Sequence, residues 1–117
     1  ALFGGGASDT PKATVDAYDT SLTRTTPIPL SVARAALAAT TVGNYALFGG
    51  GVSLTDTFEP SESSTIDAYD TSLTRTIPTP LSETRDTLAA TSVGNYALFG
   101  GGASDTPKAT VDAYAVS

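Results

Sequence analysis

Short apolar stretches alternate along the chain with clusters of glycine, asparagine, serine and proline, a pattern that predicts β-strands joined by tight turns. Residues 88–93 form one such stretch, and the dipeptide Gly94-Asn95 that follows favours a hairpin because both residue types tolerate positive φ. Residues 96–99 form the second strand and lead into three glycines. We therefore expect a β-hairpin over this segment.

Each repeat is expected to have two further strands after a hairpin of this kind, and the repeat before the hairpin at residues 88–99 shows them. Residues 65–69 form a third strand that is closed by the turn residues 70–72, and residues 73–77 form a fourth that is rich in β-branched side chains. The Pro-Thr-Pro segment at residues 78–80 cannot continue a hydrogen-bonded ladder, so it begins a long connection. Residues 81–86 are expected to belong to that loop.

The same pattern recurs almost unchanged along the chain. Residues 1–18 are identical to residues 97–114, at an offset of 96, and residues 19–51 align with residues 70–102 at an offset of 51. The second pair of segments differs at seven positions: Thr26/Ile77, Ile28/Thr79, Val32/Glu83, Ala33/Thr84, Ala35/Asp86, Ala36/Thr87 and Thr41/Ser92. Near-identity of this degree indicates recent duplication or deliberate construction, and the sequence leaves both origins open.

Four short antiparallel strands in a repeat of about 50 residues are typical of a β-propeller blade. A β-solenoid is the competing architecture, but its coils are usually shorter and lack paired hairpins. A β-sandwich would not repeat its sequence so faithfully. The prediction is therefore an all-β fold built of propeller blades.

Composition and charge exclude several classes of function. The chain has 117 residues, 40% of them hydrophobic, a net charge of −6, and neither cysteine, histidine, methionine nor tryptophan. Without a basic stripe we expect no nucleic-acid partner and no anionic membrane partner. Without histidine or cysteine, common zinc and copper sites and Ser-His-Asp or Cys-His catalysis are excluded. The N-terminus lacks the basic region of a signal peptide, and localisation is not predicted.

The repeated residues resemble kelch repeats. In that family a hydrophobic strand ends in a glycine doublet, a tyrosine follows a dozen or more residues later, and a proline-rich stretch ends in arginine. The positions of this chain that match the pattern are Gly4, Gly5, Tyr18, Arg34, Gly49, Gly50, Tyr69, Arg85, Gly100, Gly101 and Tyr114. The family's fourth-strand tryptophan is missing, and Leu22 and Leu73 stand near its place.

The resemblance implies kelch-like blades whose first strands, residues 37–42 and 88–93, lie innermost. The chain would then hold a partial blade over residues 1–26, a full blade over residues 37–77 and a partial blade over residues 88–117. These are about two and a half blades, whereas a closed propeller needs at least about four.

So few blades would expose apolar faces and open strand edges, for which self-association is the natural remedy. We expect a homo-oligomer with head-to-tail packing, since successive blades relate in that way. The duplicated ends also allow strand exchange between copies. With two blades per chain, a dimer would give about four blades and a trimer about six, and retained duplicate ends would give dimers of about five or six incomplete blades. A closed ring and an open filament are both geometrically possible, and we expect the ring to be completed by oligomerisation because closed symmetry is the common outcome.

Three groups of residues invite a chemical interpretation. The triple glycines lack the lysine and helix of a phosphate-binding loop, so close packing between blades explains them better. Repeated carboxylates could bind calcium, but no known calcium motif is present, and Asx turns account for two of them. The carboxylates are Asp16, Asp67, Asp112, Asp19 and Asp70. Arg34 and Arg85 are expected to brace blades through carbonyls or carboxylates, with substrate binding as the alternative.

The segment of residues 52–65 is six residues longer than its equivalents, residues 7–14 and 103–110, as expected for a surface loop. Its acidic residues Asp56, Glu59 and Glu62 suit a solvated excursion. Overall the sequence favours a non-catalytic structural and interaction module that needs no cofactor. The alternative is a ligand-binding propeller, with carbohydrate as one ligand class, that uses loops on one face.

Overall fold

A computed structural model describes residues 1–54 and 59–115. Over these residues the chain is all-β, and its sheets are antiparallel. The strands are β1 (Leu2–Gly4), β2 (Val15–Tyr18), β3 (Arg24–Thr25), β4 (Ala38–Val42), β5 (Tyr45–Gly49), β6 (Val52–Leu54), β7 (Pro60–Glu62), β8 (Ile66–Tyr69), β9 (Arg75–Thr76), β10 (Ala89–Val93), β11 (Tyr96–Gly100) and β12 (Val111–Ala115). No helix in the described ranges is long and apolar enough to cross a membrane.

In the described residues the strands form four sheets. Three of them follow one another along the chain and are called the first, central and third sheets; the fourth is the two-stranded sheet β6-β7. The central sheet has four strands in the order β4-β5-β8-β9. The first sheet, β1-β2-β3, holds the equivalents of the last three of these strands, and the third sheet, β10-β11-β12, holds the equivalents of the first three. The all-β antiparallel prediction is confirmed, and each sheet falls inside one of the three predicted segments.

The two Gly-Asn dipeptides make the predicted hairpins. Val42 pairs with Tyr45 across the first turn and Val93 with Tyr96 across the second. Only the glycine of each turn uses positive φ, at 55° for both Gly43 and Gly94. Glycine at the first central position with positive φ is the type II′ arrangement, which suits the twist of the flanking strands.

The fourth strands are shorter than predicted. In the central sheet the expected strand over residues 73–77 is reduced to Arg75–Thr76. The reason is a tight turn before it, in which Asp70 Oδ1 accepts hydrogen bonds from the backbone N–H groups of Ser72 and Thr74. Leu73 closes this turn with φ of 63°, outside the strand region. The same Asx turn forms at Asp19, so this prediction for both aspartates is confirmed.

Residues 52–65 form a β-hairpin in part, so the prediction of a loop is wrong for these strands. Val52–Leu54 pairs antiparallel with Pro60–Glu62. In the shorter copies the same region is a single bridge, Ala7 to Pro11 or Ala103 to Pro107. Asp56, one of the acidic residues noted there, lies outside the described residues. The longer copy therefore extends an existing turn into two strands.

Two hydrophobic clusters join the sheets, and they are built from equivalent positions. Val15 of β2 and Leu30 of the following connection pack against Phe48 and Tyr69 of the central sheet. One repeat later, the cluster between the central and third sheets contains the corresponding residues Ile66, Leu81 and Phe99, and the partly buried Tyr114 packs against it. At both junctions the earlier sheet therefore presents valine or isoleucine, and the later sheet contributes phenylalanine and tyrosine.

Candidate interaction faces

Arg34 links the first sheet to the central sheet. Its Nη1 donates to the carbonyl oxygens of Gly50 and Thr65 at 2.8 and 2.6 Å, and its Nη2 donates to Asp67 Oδ2 at 2.5 Å. All three acceptors lie at one end of the inner strand pair β5-β8 of the central sheet. The guanidinium fork therefore satisfies two carbonyls and a carboxylate at once, a geometry that lysine cannot reproduce.

The backbone of the same residue is held by the first sheet. The N–H of Arg34 donates to the carbonyl of Lys12, and its carbonyl accepts a hydrogen bond from Gly6. One residue thus bonds to one sheet through its main chain and to the next sheet through its side chain. The sequence predicts that both arginines brace neighbouring units through carbonyls or carboxylates, and for Arg34 these hydrogen bonds are present.

Arg85 repeats the arrangement between the central and third sheets. It donates to the carbonyls of Gly101 and Thr110 at 3.0 and 2.7 Å and to Asp112 Oδ2 at 2.6 Å. Its main chain bonds to Ser63 and Gly51. Arg85 lies 51 residues after Arg34 and makes the equivalent contacts. The junction between sheets is therefore repeated along with the sequence.

The first of the two ion pairs lies fully out of water. The side chains of Arg34 and Asp67 are both 0% exposed, whereas Asp112, the partner of Arg85, keeps 19% exposure. Burial lowers the pKa of Arg34 from its ordinary value, and the neighbouring Asp67 opposes that shift. A buried pair of this kind adds little when intact, but it costs much when one partner is removed.

Each sheet also carries an edge-to-face aromatic pair. The ring centroids are 5.9 Å apart for Phe48 and Tyr69 and 6.0 Å apart for Phe3 and Tyr18. Tyr69 Oη donates to the carbonyl of Ile28 in the preceding connection, and burial raises the pKa of this phenol to about 12. Tyr114, paired with Phe99 in the third sheet, likewise bonds the carbonyl of Thr79.

In the first two triplets the first glycine makes room for the phenylalanine of the next sheet. A Cβ on Gly4 would lie 2.9 Å from Phe48, and one on Gly49 would lie 2.8 Å from Phe99. The second glycine admits the backbone of the connection: a Cβ on Gly50 would lie 2.7 Å from the carbonyl oxygen of Arg85, and Gly5 has the matching contact with Arg34. Close packing therefore accounts for these glycines.

In the third sheet, among the described residues, no phenylalanine and no connection from another sheet packs against the equivalent glycines. A Cβ on Gly100 would meet Val111 at an ordinary 3.5 Å, and one on Gly101 would meet only a carbonyl at 3.9 Å. Val111 is 61% exposed, although its equivalents Val15 and Ile66 are fully buried. We call this the tail face, defined by Val93, Leu98, Gly100, Gly101 and Val111.

The first sheet shows the opposite half of the same contact. Phe3 is 64% exposed and Tyr18 is 37% exposed, whereas the equivalent residues Phe48 and Tyr69 are 3% and 1% exposed. We call this the head face, defined by Phe3, Asp16 and Tyr18. The head face carries the groups that a tail face receives elsewhere in the chain.

The carboxylates considered as calcium ligands are not gathered into one site. Asp67 and Asp112 bind arginines, and Asp19 and Asp70 close turns. Among the described residues there is no group of three or more acidic, histidine or cysteine side chains that could hold a metal ion. The partner of each arginine was not identified from the sequence, although arginine and aspartate both recur with the repeat.

Comparison with known proteins gives the fold and no more. No family model matches the chain, and no curated protein matches it. A solved structure of a protein named YjhT is similar, with a TM-score of 0.78 and 17% sequence identity. The similarity covers 96% of this chain and 38% of that chain, so this chain spans well under half the length of YjhT. At this identity the likeness concerns the arrangement of strands alone.

Proposed function

We propose that the chain is a non-catalytic interaction module: part of a kelch-like β-propeller, in which the sheets are blades and copies associate head to tail. One observation carries this proposal. The contact between successive sheets occurs twice within the chain, and both of its halves, the head face and the tail face, are exposed. A second copy is the occupant whose chemistry matches both faces.

The faces are apolar enough to drive association. Burial of a phenylalanine or valine side chain contributes about 1.5–3 kcal/mol, and Phe3, Val93 and Val111 are each at least 60% exposed. The buried equivalents at the two internal junctions supply the geometry of the contact. Because the head face differs from the tail face, association is heterologous, and it closes into a ring when the rotation per copy permits.

The arrangement of the first strands supports a propeller. β4 and β10 make the most extensive contact between the central and third sheets. First strands that converge in this way would line the centre of a ring, where the small side chains of Ala38–Val42 and Ala89–Val93 suit a crowded axis. The long connections between sheets then repeat at one position around the ring.

Replacement of Phe3 tests the proposal. Phe3→Arg places a charge in the head face and should return the assembly to the mass of one chain. Ile28→Arg is the matched control: Ile28 is 51% exposed, and its repeat equivalent is the polar Thr79. Native mass spectrometry should show multiples of 11.8 kDa for the control and for the unmodified chain. Equal masses for Phe3→Arg and the control would contradict the proposal.

Carbohydrate binding is the second candidate, and two equivalent clefts favour it. One of about 400 Å³ lies between the central and third sheets, with Tyr45 and Tyr114 in its wall. Another, of about 440 Å³, lies between the first and central sheets beside Tyr69 and Asn44. A glycan array tests this candidate. Binding that is lost in Tyr45→Ala, which removes a side chain that lines both clefts, would support it, and an array without binding would oppose it.

A further inference from the structure

The first sheet repeats a set of arginine acceptors. The carbonyls of Gly5 and Thr14 and the carboxylate of Asp16 stand at the repeat positions that bind the guanidinium groups in the other two sheets. The N–H of Gly5 donates to the carbonyl of Thr14, as in the other copies. In the described part of the chain no arginine pairs with Asp16.

A copy that stacks with its third sheet intact does not supply this arginine. At both internal junctions the arginine comes from the connection before a sheet, as Arg34 and Arg85 do. No arginine follows Arg85 in the sequence. Contact of a tail face with a head face that uses only residues 86–117 therefore leaves Asp16 without a guanidinium partner.

The edge of β1 next to this acceptor set is unpaired. Ala1 and Tyr18 exchange both backbone hydrogen bonds, so the alternation along the strand turns the polar groups of Leu2 and Gly4 to the open side. In the central sheet the corresponding edge of β5 is covered by β4, with Leu47 opposite Thr40. A groove of about 500 Å³ runs along the β1 edge.

One segment of the chain fits both the edge and the acceptors. Arg85 precedes β10, and β10 pairs with β11 in the register Ala89 to Gly100 and Thr91 to Leu98. Residues 97–114 of β11, β12 and their connection are identical to residues 1–18. The first sheet of a second copy can therefore replace β11 and β12 without changing a single side chain at the junction.

We propose that copies associate by strand exchange: β10 of one copy pairs with β1 of another, and its Arg85 bonds to Asp16 of that copy. This proposal rests on the self-association proposed above but changes the contact. The head face of one copy packs on the central sheet of the other, as Phe99 and Tyr114 do within the chain, and not on an intact tail face. The composite sheet β10-β1-β2-β3 has four strands in the order of the central sheet. Ala89 then lies opposite Gly4, and Thr91 lies opposite Leu2. Asp112, β11 and β12 of the first copy are displaced.

Cross-linking between two singly substituted chains tests the pairing. The chain has no cysteine, so each introduced thiol is unique. In the third sheet Ser92 lies opposite Ala97, the equivalent of Ala1, and strand exchange places Ser92 opposite Ala1 of the other copy. A pair without backbone hydrogen bonds has Cα atoms about 4.5 Å apart, within reach of a disulfide. Ala1→Cys mixed with Ser92→Cys should form a disulfide-linked dimer, and Ala1→Cys mixed with Leu22→Cys should not.

Asp16→Asn supplies an independent readout. Under strand exchange it removes one partner of an ion pair between copies, which should raise the apparent dissociation constant about 30-fold or more. Val111→Arg should leave the assembly unchanged, because its strand is displaced. Simple stacking predicts the reverse for both variants. Oligomers that form without the 1–92 cross-link and ignore Asp16→Asn would overturn strand exchange alone, and a monomer at all concentrations would overturn both proposals.

Discussion

The same substitution at three equivalent aspartates should have three different effects on stability. Asp67→Asn removes the negative charge but keeps the shape of the side chain, so the guanidinium of Arg34 stays buried without a counter-ion. Breaking a buried pair in this way costs about 3–5 kcal/mol. Asp112→Asn should cost less, because Asp112 is 19% exposed to water. Asp16→Asn should change stability by less than about 0.5 kcal/mol in the monomer.

Urea unfolding followed by circular dichroism measures these differences. With a slope of about 2 kcal/mol per molar urea, a loss of about 4 kcal/mol lowers the midpoint by about 2 M. The three variants should be compared at chain concentrations at which the mass is that of a single chain. Asp67→Asn should have the lowest midpoint, and Asp16→Asn should match the unmodified chain.

A double substitution separates the lost charge from other effects. Arg34→Met with Asp67→Asn removes both charges and should recover much of the stability, because no uncompensated charge is left buried. It also keeps the variant series informative if Asp67→Asn alone does not fold. Equal midpoints for Asp67→Asn and Asp16→Asn would refute the idea that the arginine bridge joins the sheets.

Three other predictions concern glycine packing, backbone strain and pH. Gly49→Ala should lower the free energy of unfolding by about 1–3 kcal/mol, because its Cβ would lie 2.5 Å from Ile66. Gly100→Ala should be neutral or stabilising in the monomer. The unfolding midpoints of the two variants test both predictions. Thr87→Gly should stabilise by about 1 kcal/mol by relieving a β-branched residue at φ of 55°, again read from the midpoint. Burial raises the pKa of Tyr69 to about 12 from its ordinary value of 10.0. The stability that its neutral phenol contributes is therefore present below pH 10 and is lost between about pH 10 and 12. In a pH titration followed by tyrosinate absorbance, Tyr69→Phe should lack the titrating component with a pKa of about 12.

Repetition made the strands predictable. Gap-free alignment of two copies, together with the Gly-Asn turns, located the hairpins and the three sheets. The fourth strand was overestimated, because its β-branched residues suggested a strand while Leu73 adopts positive φ in the turn before it. The hairpin at Val52–Leu54 was missed, because its serine, glutamate and proline content is that of a solvated loop.

The bridge between sheets was only partly visible in the sequence. Position and chemistry predicted that Arg34 braces neighbouring units, but its partner Asp67 lies 33 residues away and is identified only when the strands are folded. The sequence did contain a signal: both residues recur in the next copy, as Arg85 and Asp112. The head and tail faces are exposed because, within the described part of the chain, no other sheet packs on them. This depends on how the sheets are arranged, which the sequence of one repeat does not show.

The mass of the chain in solution tests self-association most directly. Light scattering or native mass spectrometry over a range of concentrations should show a discrete multiple of 11.8 kDa, and Phe3→Arg should return it to 11.8 kDa. A folded chain that stays at 11.8 kDa at every concentration would contradict the proposed assembly, because its exposed head and tail faces would then be stable in water without a partner copy.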